Sequence, residues 1–180
     1  MWYTNSSIRF AIATIGAYMT EAVWDRAFDL LMQNEGGYVN DPKDSGGETK
    51  YGISKKQYPN LDIQNLTLEQ AKDIYHKDYW HRYKCDYLPD SISIALFDSV
   101  VNSSAKKMIT LLQESLGICA DGVIGNQTIG ACNRLPQKVT VNDFLDRRLK
   151  YLMTLKGWKY YGNGWGSRIE RVRKCALSMV

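Results

Sequence analysis

The residues best suited to chemistry are four carboxylates that follow one another closely along the chain: Glu35, Asp41, Asp44 and Glu48. A glycosidase uses two carboxyl groups: one protonates the leaving oxygen, and the other stabilises the developing positive charge or activates a water. Glu35 is predicted to lie in the last turn of a helix, where the helix dipole and partial burial both raise the pKa of a carboxyl group. A glutamic acid that stays protonated near neutral pH is a general acid.

The loop after Glu35 is predicted to bring other carboxylates back toward it. Asp41 and Asp44 come six and nine residues after Glu35, and Pro42 and the glycines up to Gly47 favour turns that double the chain back. Asp44 is the first choice for the second catalytic group, and Asp41 is the second choice. Aspartates also stabilise turns, so a purely structural role stays open for both.

Other candidates for substrate binding lie outside this loop. Asp98 and Asn102 are four residues apart and share a face of a predicted helix, so they either line a cleft or form a buried hydrogen-bonded pair. Tyr160 and Tyr161 lie in WKYYGNGWG, which is predicted as an aromatic and glycine-rich loop. Exposed rings of this kind stack on sugars, whereas aromatic residues at helical spacing are more often core residues.

The sequence gives little support for a metal site or for a nucleophile activated by histidine. The sequence contains four cysteines, none of them in a C-x-x-C pair: Cys85, Cys119, Cys132 and Cys175. A zinc site is therefore not expected, and the cysteines are predicted to be buried free thiols. The two histidines, His76 and His81, are predicted to point to different helix faces, and neither has a nucleophile signature beside it. We expect no metal or organic cofactor.

Composition predicts a soluble globular protein of one domain, or one domain with a small module. The chain has 180 residues, 44% hydrophobic and 23% charged, with a net charge of +4. Since no dense stripe of Lys and Arg accompanies this charge, a nucleic-acid partner is not expected. The apolar run over residues 8–19 is shorter than the roughly 20 residues of a membrane span. A monomer is expected.

The first predicted helix is the one that would position Glu35. Thr20 is a good N-cap, apolar residues then recur at three- and four-residue spacing, and Gly36-Gly37 follows. Residues 38–53 are predicted to form a short, irregular hairpin or paired loop.

The remaining elements are predicted to be helices. A capping box at residues 67–70 opens a helix to about Arg82, and Pro89 precedes the next. Further helices are expected over 104–116, from Thr128, over 140–156 and from about Ser167. This pattern predicts a mainly α or α+β protein.

The stretch EGGYVNDPKDSGGETKYGIS resembles the signature of the glycoside hydrolase family 108 lysozymes, which are N-acetylmuramidases of phage endolysins and prophages. The resemblance continues through LTLEQAKDIYHKDYW, LFDSVVNSSAKKMITLLQESLG, DGVIGNQTI and FLDRRLKYLMTLKGWKYYGNGWGSRIERV. Where many relatives have a glycine-rich turn, this chain has SSAKK. The resemblance implies that Glu35 is the catalytic acid. Phage-type lysozymes also place an Asp nine residues after this Glu, as Asp44 is, and a Thr six further; Thr49 is only five further.

The resemblance implies a lysozyme-like fold, a helical bundle with one small irregular β-hairpin after the first catalytic helix. It divides the chain into an N-terminal extension or weak apolar segment over 1–19, a catalytic region over 20–105, and a helical region over 106–180. The last of these resembles a predicted peptidoglycan-binding region and is expected to pack into the same globule.

The implied function is a muramidase that cleaves the β-1,4 bond between N-acetylmuramic acid and N-acetylglucosamine. Glu35 is the expected acid, and Thr49 and Tyr51 are candidates for placing water or the sugar. Peptidoglycan strands are the expected partner, and the expected place of action is the periplasm or the external cell wall, with no clear cleavable signal peptide. The alternative is a catalytically inactive wall-binding or secretion-accessory protein of the same fold.

Overall fold

The computed structural model describes residues 21–33, 38 and 47–180 of the chain. The predicted N-terminal segment, Glu35, Asp41 and Asp44 lie outside the described residues. The described elements are α1 over residues 21–32, β1 Thr49–Lys50, β2 Ile53–Ser54, α2 Leu68–Tyr75, α3 Asp90–Asn102, α4 Ala105–Ser115, α5 Asn126–Arg134, α6 Gln137–Met153 and α7 Trp158–Leu177. This is the predicted fold class, mainly helical with one small hairpin after the first helix.

The helix α3 forms the centre of the molecule. Its sequence is apolar on nearly every side, and every residue from Ser91 to Val100 is buried. A helix of this kind must be surrounded by other elements, and α4, α6 and α7 all pack against it. Two serines of α3 satisfy their hydrogen bonds locally: the Ser93 hydroxyl donates to the Cys85 carbonyl over 2.7 Å, and the Ser99 hydroxyl donates to the Ala95 carbonyl over 2.6 Å.

An aromatic cluster joins α1 to α3. The ring of Trp24 lies 5.3 Å from Phe97 and 5.4 Å from Trp80, measured between centroids. The ring of Phe28 lies 6.1 Å from Tyr75. Rings at these distances and angles attract one another beyond the simple burial of their area. The cluster therefore holds α1 against the centre of the molecule.

The helix α2 begins at the predicted capping box, in which Thr67 and Gln70 cap each other. It continues as a π-helical segment over His76–His81. A π-turn has more than four residues per turn, which places Tyr75 and Trp80 on one side although they are five residues apart. Both rings contact Phe97, at 6.4 and 5.7 Å. A short 3-10 helix, Cys85–Tyr87, then leads into α3.

The two strands form a hairpin that is tighter than predicted. The pair is antiparallel, with Lys50 opposite Ile53, so Tyr51 and Gly52 are the only turn residues. Their φ angles are 52° and 75°. Positive φ at both positions defines a type I′ turn, whose twist matches that of paired strands.

Three helix starts differ from the predictions. The helix α5 begins at Asn126 and not at Thr128, and α6 begins at Gln137 and not at Thr140. The largest difference concerns α7, which begins at Trp158, so that the segment predicted as an aromatic loop is helical. Of the glycines there, Gly162 is explained by packing, because a Cβ at this position would lie 2.8 Å from the Trp158 ring.

The four cysteines are free thiols. Cys85 and Cys132 are buried, as expected, whereas Cys119 is exposed and Cys175 is half-buried. Burial raises the pKa of Cys85 well above its usual range and that of Cys132 to about 12, so both stay protonated at neutral pH. Among the described helices, none is both long and apolar enough to cross a membrane.

Candidate active site

The described residues on either side of the carboxylate-rich loop are in contact with each other. The hydroxyl of Tyr38 donates to the Glu48 carboxylate over 3.1 Å. The backbone carbonyl of Glu48 accepts from the Lys55 amide over 2.8 Å. The chain that leaves α1 therefore returns to a point beside Tyr38, and Glu48 links that point to the hairpin.

The hairpin turn is tied to the aromatic cluster by one hydrogen bond. The buried Tyr75 side chain donates its hydroxyl to the Tyr51 carbonyl over 3.0 Å. Since the ring of Tyr75 also contacts Phe28 of α1, one side chain joins the hairpin to the helix that precedes Glu35. This joint fixes the described parts of the site relative to each other.

A second brace connects the segment after the hairpin to the π-helical segment. The Tyr58 hydroxyl donates to Asp78 over 2.8 Å, and the Gln57 amide donates to the Tyr79 hydroxyl over 3.0 Å. Burial, followed by the hydrogen bond to Asp78, raises the pKa of Tyr58, and burial also raises the pKa of Tyr79. Both hydroxyls are therefore neutral across the physiological range, so the brace does not titrate there.

Thr49 and Tyr51 both lie in the hairpin and are half-buried. The Thr49 hydroxyl donates to the Gly47 carbonyl over 3.3 Å, and the Lys50 ammonium lies 5.6 Å from the centre of the Tyr51 ring. Their role in placing water or a sugar stays a prediction, as do the roles of Glu35, Asp41 and Asp44.

Asp98 and Asn102 lie on α3, but Asp98 does not line an open cleft. Its side chain is only 3% exposed, and its two oxygens accept from Arg148 Nη1 at 2.7 Å and from Arg168 Nε at 2.8 Å. The Asn102 amide donates to the backbone carbonyl of Asp98 over 2.8 Å, and not to its carboxylate. A buried carboxylate held by two guanidinium groups is placed to join helices, which disfavours direct sugar contact.

Tyr160 and Tyr161 lie on the first turn of α7, on the surface of the molecule. They are 77% and 64% exposed, which fits a stacking role even though the segment is helical. The Tyr161 ring is 6.0 Å from Trp165, so aromatic surface continues along the helix. Their contact with substrate stays a prediction.

Arg148 and Arg168 are site residues that the sequence analysis did not identify. The signal was present for Arg148, because Phe144, Arg148 and Leu152 recur every fourth residue of α6, and all three are buried. A charged residue at a core position needs a buried partner. For Arg168 the sequence carries no comparable signal. In the described ranges, no group of three or more His, Cys, Asp or Glu residues is arranged to hold a metal ion.

Two comparisons connect this architecture to known proteins. The sequence model of the family described as Glycosyl hydrolase 108 matches residues 28–104, from α1 through the hairpin to the end of α3. Twelve solved chains match the structure. One of them is Brucella abortus SagA, with 32% sequence identity and a TM-score of 0.78, and the match covers 88% of this chain and 96% of that one.

No curated protein sequence matches the chain. The match to SagA nevertheless extends over nearly the whole of that protein at an identity of 32%, and the family match covers the helix, the hairpin and the central helix that together build the candidate site. The chain is therefore a member of the glycosyl hydrolase 108 family, and its reaction class is glycoside hydrolysis.

Proposed function

We propose that this glycoside hydrolase is a lysozyme-type muramidase, which cleaves the β-1,4 bond between N-acetylmuramic acid and N-acetylglucosamine in peptidoglycan. The observation that carries the proposal is the family match, since it spans Glu35 and the hairpin. The sequence around Glu35 supports it, because that block resembles the muramidases of this family. The place of action that follows is the periplasm or the external wall.

In the proposed reaction, Glu35 donates its proton to the glycosidic oxygen, and the bond between that oxygen and the anomeric carbon breaks. Water then supplies hydroxide to the anomeric carbon, and its remaining proton restores the acid. Asp44 is the proposed partner that stabilises the oxocarbenium-like transition state or positions the water, and Asp41 is the second choice. The separation of the two carboxyl groups determines whether the product is retained or inverted.

Thr49 and Tyr51 are proposed to help place the water or the sugar. The hydrogen bond from Tyr75 to the Tyr51 carbonyl supports this role, because a binding group must be held rigidly to be effective. We further propose that 20–105 is the catalytic region and that 106–180 binds the wall.

The proposal is tested by clearing of purified peptidoglycan, followed as a fall in turbidity. Glu35→Gln keeps the size of the side chain but removes the acid, so we expect it to lose at least about 100-fold in rate, the usual contribution of a general acid. Glu69→Gln is the matched control, because Glu69 is exposed in the first turn of α2. It should clear the wall like the wild type.

Two outcomes would count against the proposal. Equal clearing by the wild type and Glu35→Gln would show that Glu35 is not the acid. If neither protein cleared the wall while both sedimented with it, the chain would be a wall-binding protein without hydrolase activity.

A further inference from the structure

A cavity of about 320 Å³ lies where the junction of α3 and α4 meets α6 and α7. We call it the junction cavity. Asn102 and Ser104 contribute to it from the junction, Arg148 and Tyr151 from α6, and Trp165 and Arg168 from α7. Its volume is at the small end of ligand pockets, so it suits a group the size of one amino acid and not a length of polymer.

The junction cavity carries an excess of positive charge. Arg148 and Arg168 share a single carboxylate, that of Asp98, and none of the described residues that line the cavity is acidic. One positive charge is therefore left over. Lys107 adds to it, because its ammonium lies 5.5 Å from the ring of Tyr151 on the cavity wall.

The two arginines also have unused hydrogen-bond donors. Within the described part of the chain, Arg148 Nε and Arg168 Nη2 are buried and have no hydrogen-bond partner. The Arg148 side chain is only 2% exposed. Buried polar groups are nearly always hydrogen-bonded, and a guanidinium with a free edge matches the two oxygens of a carboxylate.

The wall of the junction cavity leads to exposed aromatic surface. Trp165 lines the cavity, and its ring lies 6.0 Å from that of Tyr161, which is 64% exposed. A ligand seated in the cavity could thus continue outward over a ring that is suited to stacking on a sugar. This favours an acidic group attached to a saccharide over a free anion.

We propose that the junction cavity binds a carboxylate on the peptide that is joined to N-acetylmuramic acid, with Arg148 and Arg168 as the anion-binding residues. The identity of the ligand rests on the proposed function, whereas the site itself rests on the charge, the unpartnered donors and the shape of the cavity. Peptidoglycan carries both the sugar and the peptide carboxylates that such a site would recognise.

The probe is an N-acetylmuramyl dipeptide that ends in a free carboxylate, compared with the same compound in which that carboxylate is an amide. Neither contains a glycosidic bond that the enzyme could cleave, so binding is measured apart from catalysis. In calorimetric titrations of the full chain, the acid should bind at least about tenfold more tightly than the amide, a difference that corresponds to one favourable charged contact. The Nε–Hε resonance of Arg148 should shift with the acid and not with the amide.

The matched variants are Arg168→Lys and Arg173→Lys. Both lie on α7 and are similarly buried, but Arg173 is paired with two exposed carboxylates, those of Asp146 and Glu170. Arg168→Lys keeps the charge and loses the planar donor edge, so it should weaken binding of the acid, while Arg173→Lys should leave it unchanged. Equal loss in both variants would overturn the proposal, as would an Arg148 resonance that the acid does not move.

Further titrations show which class of anion binds, and they distinguish a failure of this proposal from a failure of the proposed function. Inorganic phosphate that binds as tightly as the acid would overturn the assignment to a peptide. Equal binding of acid and amide would overturn the carboxylate site itself. The same titration with Glu35→Gln should match the wild type, because the proposed contacts of the bound carboxylate are those of Arg148 and Arg168. A hydrolysis test that failed would therefore leave this binding result standing.

Discussion

Tyr75 illustrates how one buried side chain positions a loop that lies outside the core. Its ring packs against Phe28 and Phe97, at 6.1 and 6.4 Å, and its hydroxyl reaches the Tyr51 carbonyl. The turn of the hairpin is therefore held by the same contact surface that holds α1. The candidate residue Thr49 is held within its own loop, where its hydroxyl donates to the Gly47 carbonyl.

Removal of the Tyr75 hydroxyl should loosen the hairpin without disturbing the core. Tyr75→Phe keeps the ring and deletes the donor, so the Tyr51 carbonyl loses a partner at a cost of about 1 kcal/mol. We expect that loss in urea unfolding and faster amide hydrogen exchange at β2, together with slower hydrolysis. Tyr87→Phe is the control, because Tyr87 is 59% exposed. Equal effects of the two substitutions would contradict this role for Tyr75.

Asp121 illustrates a residue whose motif is structural. Its carboxylate accepts from the Gln113 amide at 2.7 Å and from the Val123 amide at 2.9 Å, and the neighbouring Gly122 has a φ of +77°. The sequence DGVIG is thus explained by a turn, which connects α4 to α5.

The stability provided by Asp121 should depend on pH. The hydrogen bond from Gln113, followed by that from Val123, lowers the pKa of Asp121 below its ordinary value of 3.8. Because the folded state then holds the proton less tightly than the unfolded chain, the stabilisation is present above that value and is lost as the pH falls through the folded pKa.

This dependence can be measured with Asp121→Asn. Thermal unfolding should show a clear difference between wild type and variant at about pH 6, and a smaller one at about pH 3, because there the unfolded chain binds a proton that the folded turn holds less tightly. A difference in Tm of the same size at both pH values would show that the ionised form is not what stabilises the turn.

The helix α7 shows how packing overrides a local preference for loop. Its first half contains three glycines, at positions 162, 164 and 166, within nine residues that include two tryptophans. Glycine disfavours a helix by about 1 kcal/mol per residue. The ladder of Trp158, Tyr161 and Trp165, with centroid distances of 6.3 and 6.0 Å, supplies contacts that offset this cost.

Two glycine substitutions in α7 should have opposite effects on stability. A Cβ at Gly162 would meet the Trp158 ring at 2.8 Å, so Gly162→Ala should destabilise by about 1–3 kcal/mol through overpacking. Gly164 has open space around it, so Gly164→Ala should stabilise by about 0.5–1 kcal/mol. Urea unfolding measures both, and a loss in both variants would mean that α7 needs glycine for another reason.

The molecule as a whole is held together around α3 by a buried ion pair as well as by apolar packing. Asp98 lies on α3, Arg148 on α6 and Arg168 on α7, and the three side chains meet at distances of 2.7 and 2.8 Å. Buried ion pairs of this type contribute little net stability when intact, but removal of one partner leaves an uncompensated charge. The three helices therefore depend on one carboxylate.

Asp98→Asn tests that dependence. The substitution leaves two buried guanidinium groups without their anion, and we expect a loss of about 3–5 kcal/mol in the free energy of unfolding. The control is Asp146→Asn, because Asp146 pairs with Arg173 while its side chain is 57% exposed. An exposed pair of this kind is worth at most about 1 kcal/mol. Similar losses in both variants would show that the buried ion pair matters no more to the free energy of unfolding than the pair of Asp146 with Arg173.

Several elements could be predicted because their signals are local. The capping box is formed by two residues that are close along the chain, Thr67 and Gln70, and the structure contains it as predicted. The helix predicted after Pro89 is present and begins at Asp90. The hairpin was expected, but its short turn at Tyr51-Gly52 was not, since a tyrosine with positive φ is unusual and depends on contacts that hold it.

Three features could be predicted from the sequence, because each depends on residues that are close together along the chain. They are the carboxylate spacing around Glu35, the mainly helical fold and the family resemblance. The helical state of residues 158–166, the burial of Asp98 and the partnership of Arg148 with Arg168 could not be predicted in this way. The helical state depends on the packing of Trp158 against Trp165 and Gly162, which outweighs the preference of glycine for a loop. Asp98 and its two arginines are separated by 50 and 70 positions and meet only when α3, α6 and α7 are packed. Charge pairing across such distances is a property of the folded arrangement, since no short stretch of sequence contains both partners.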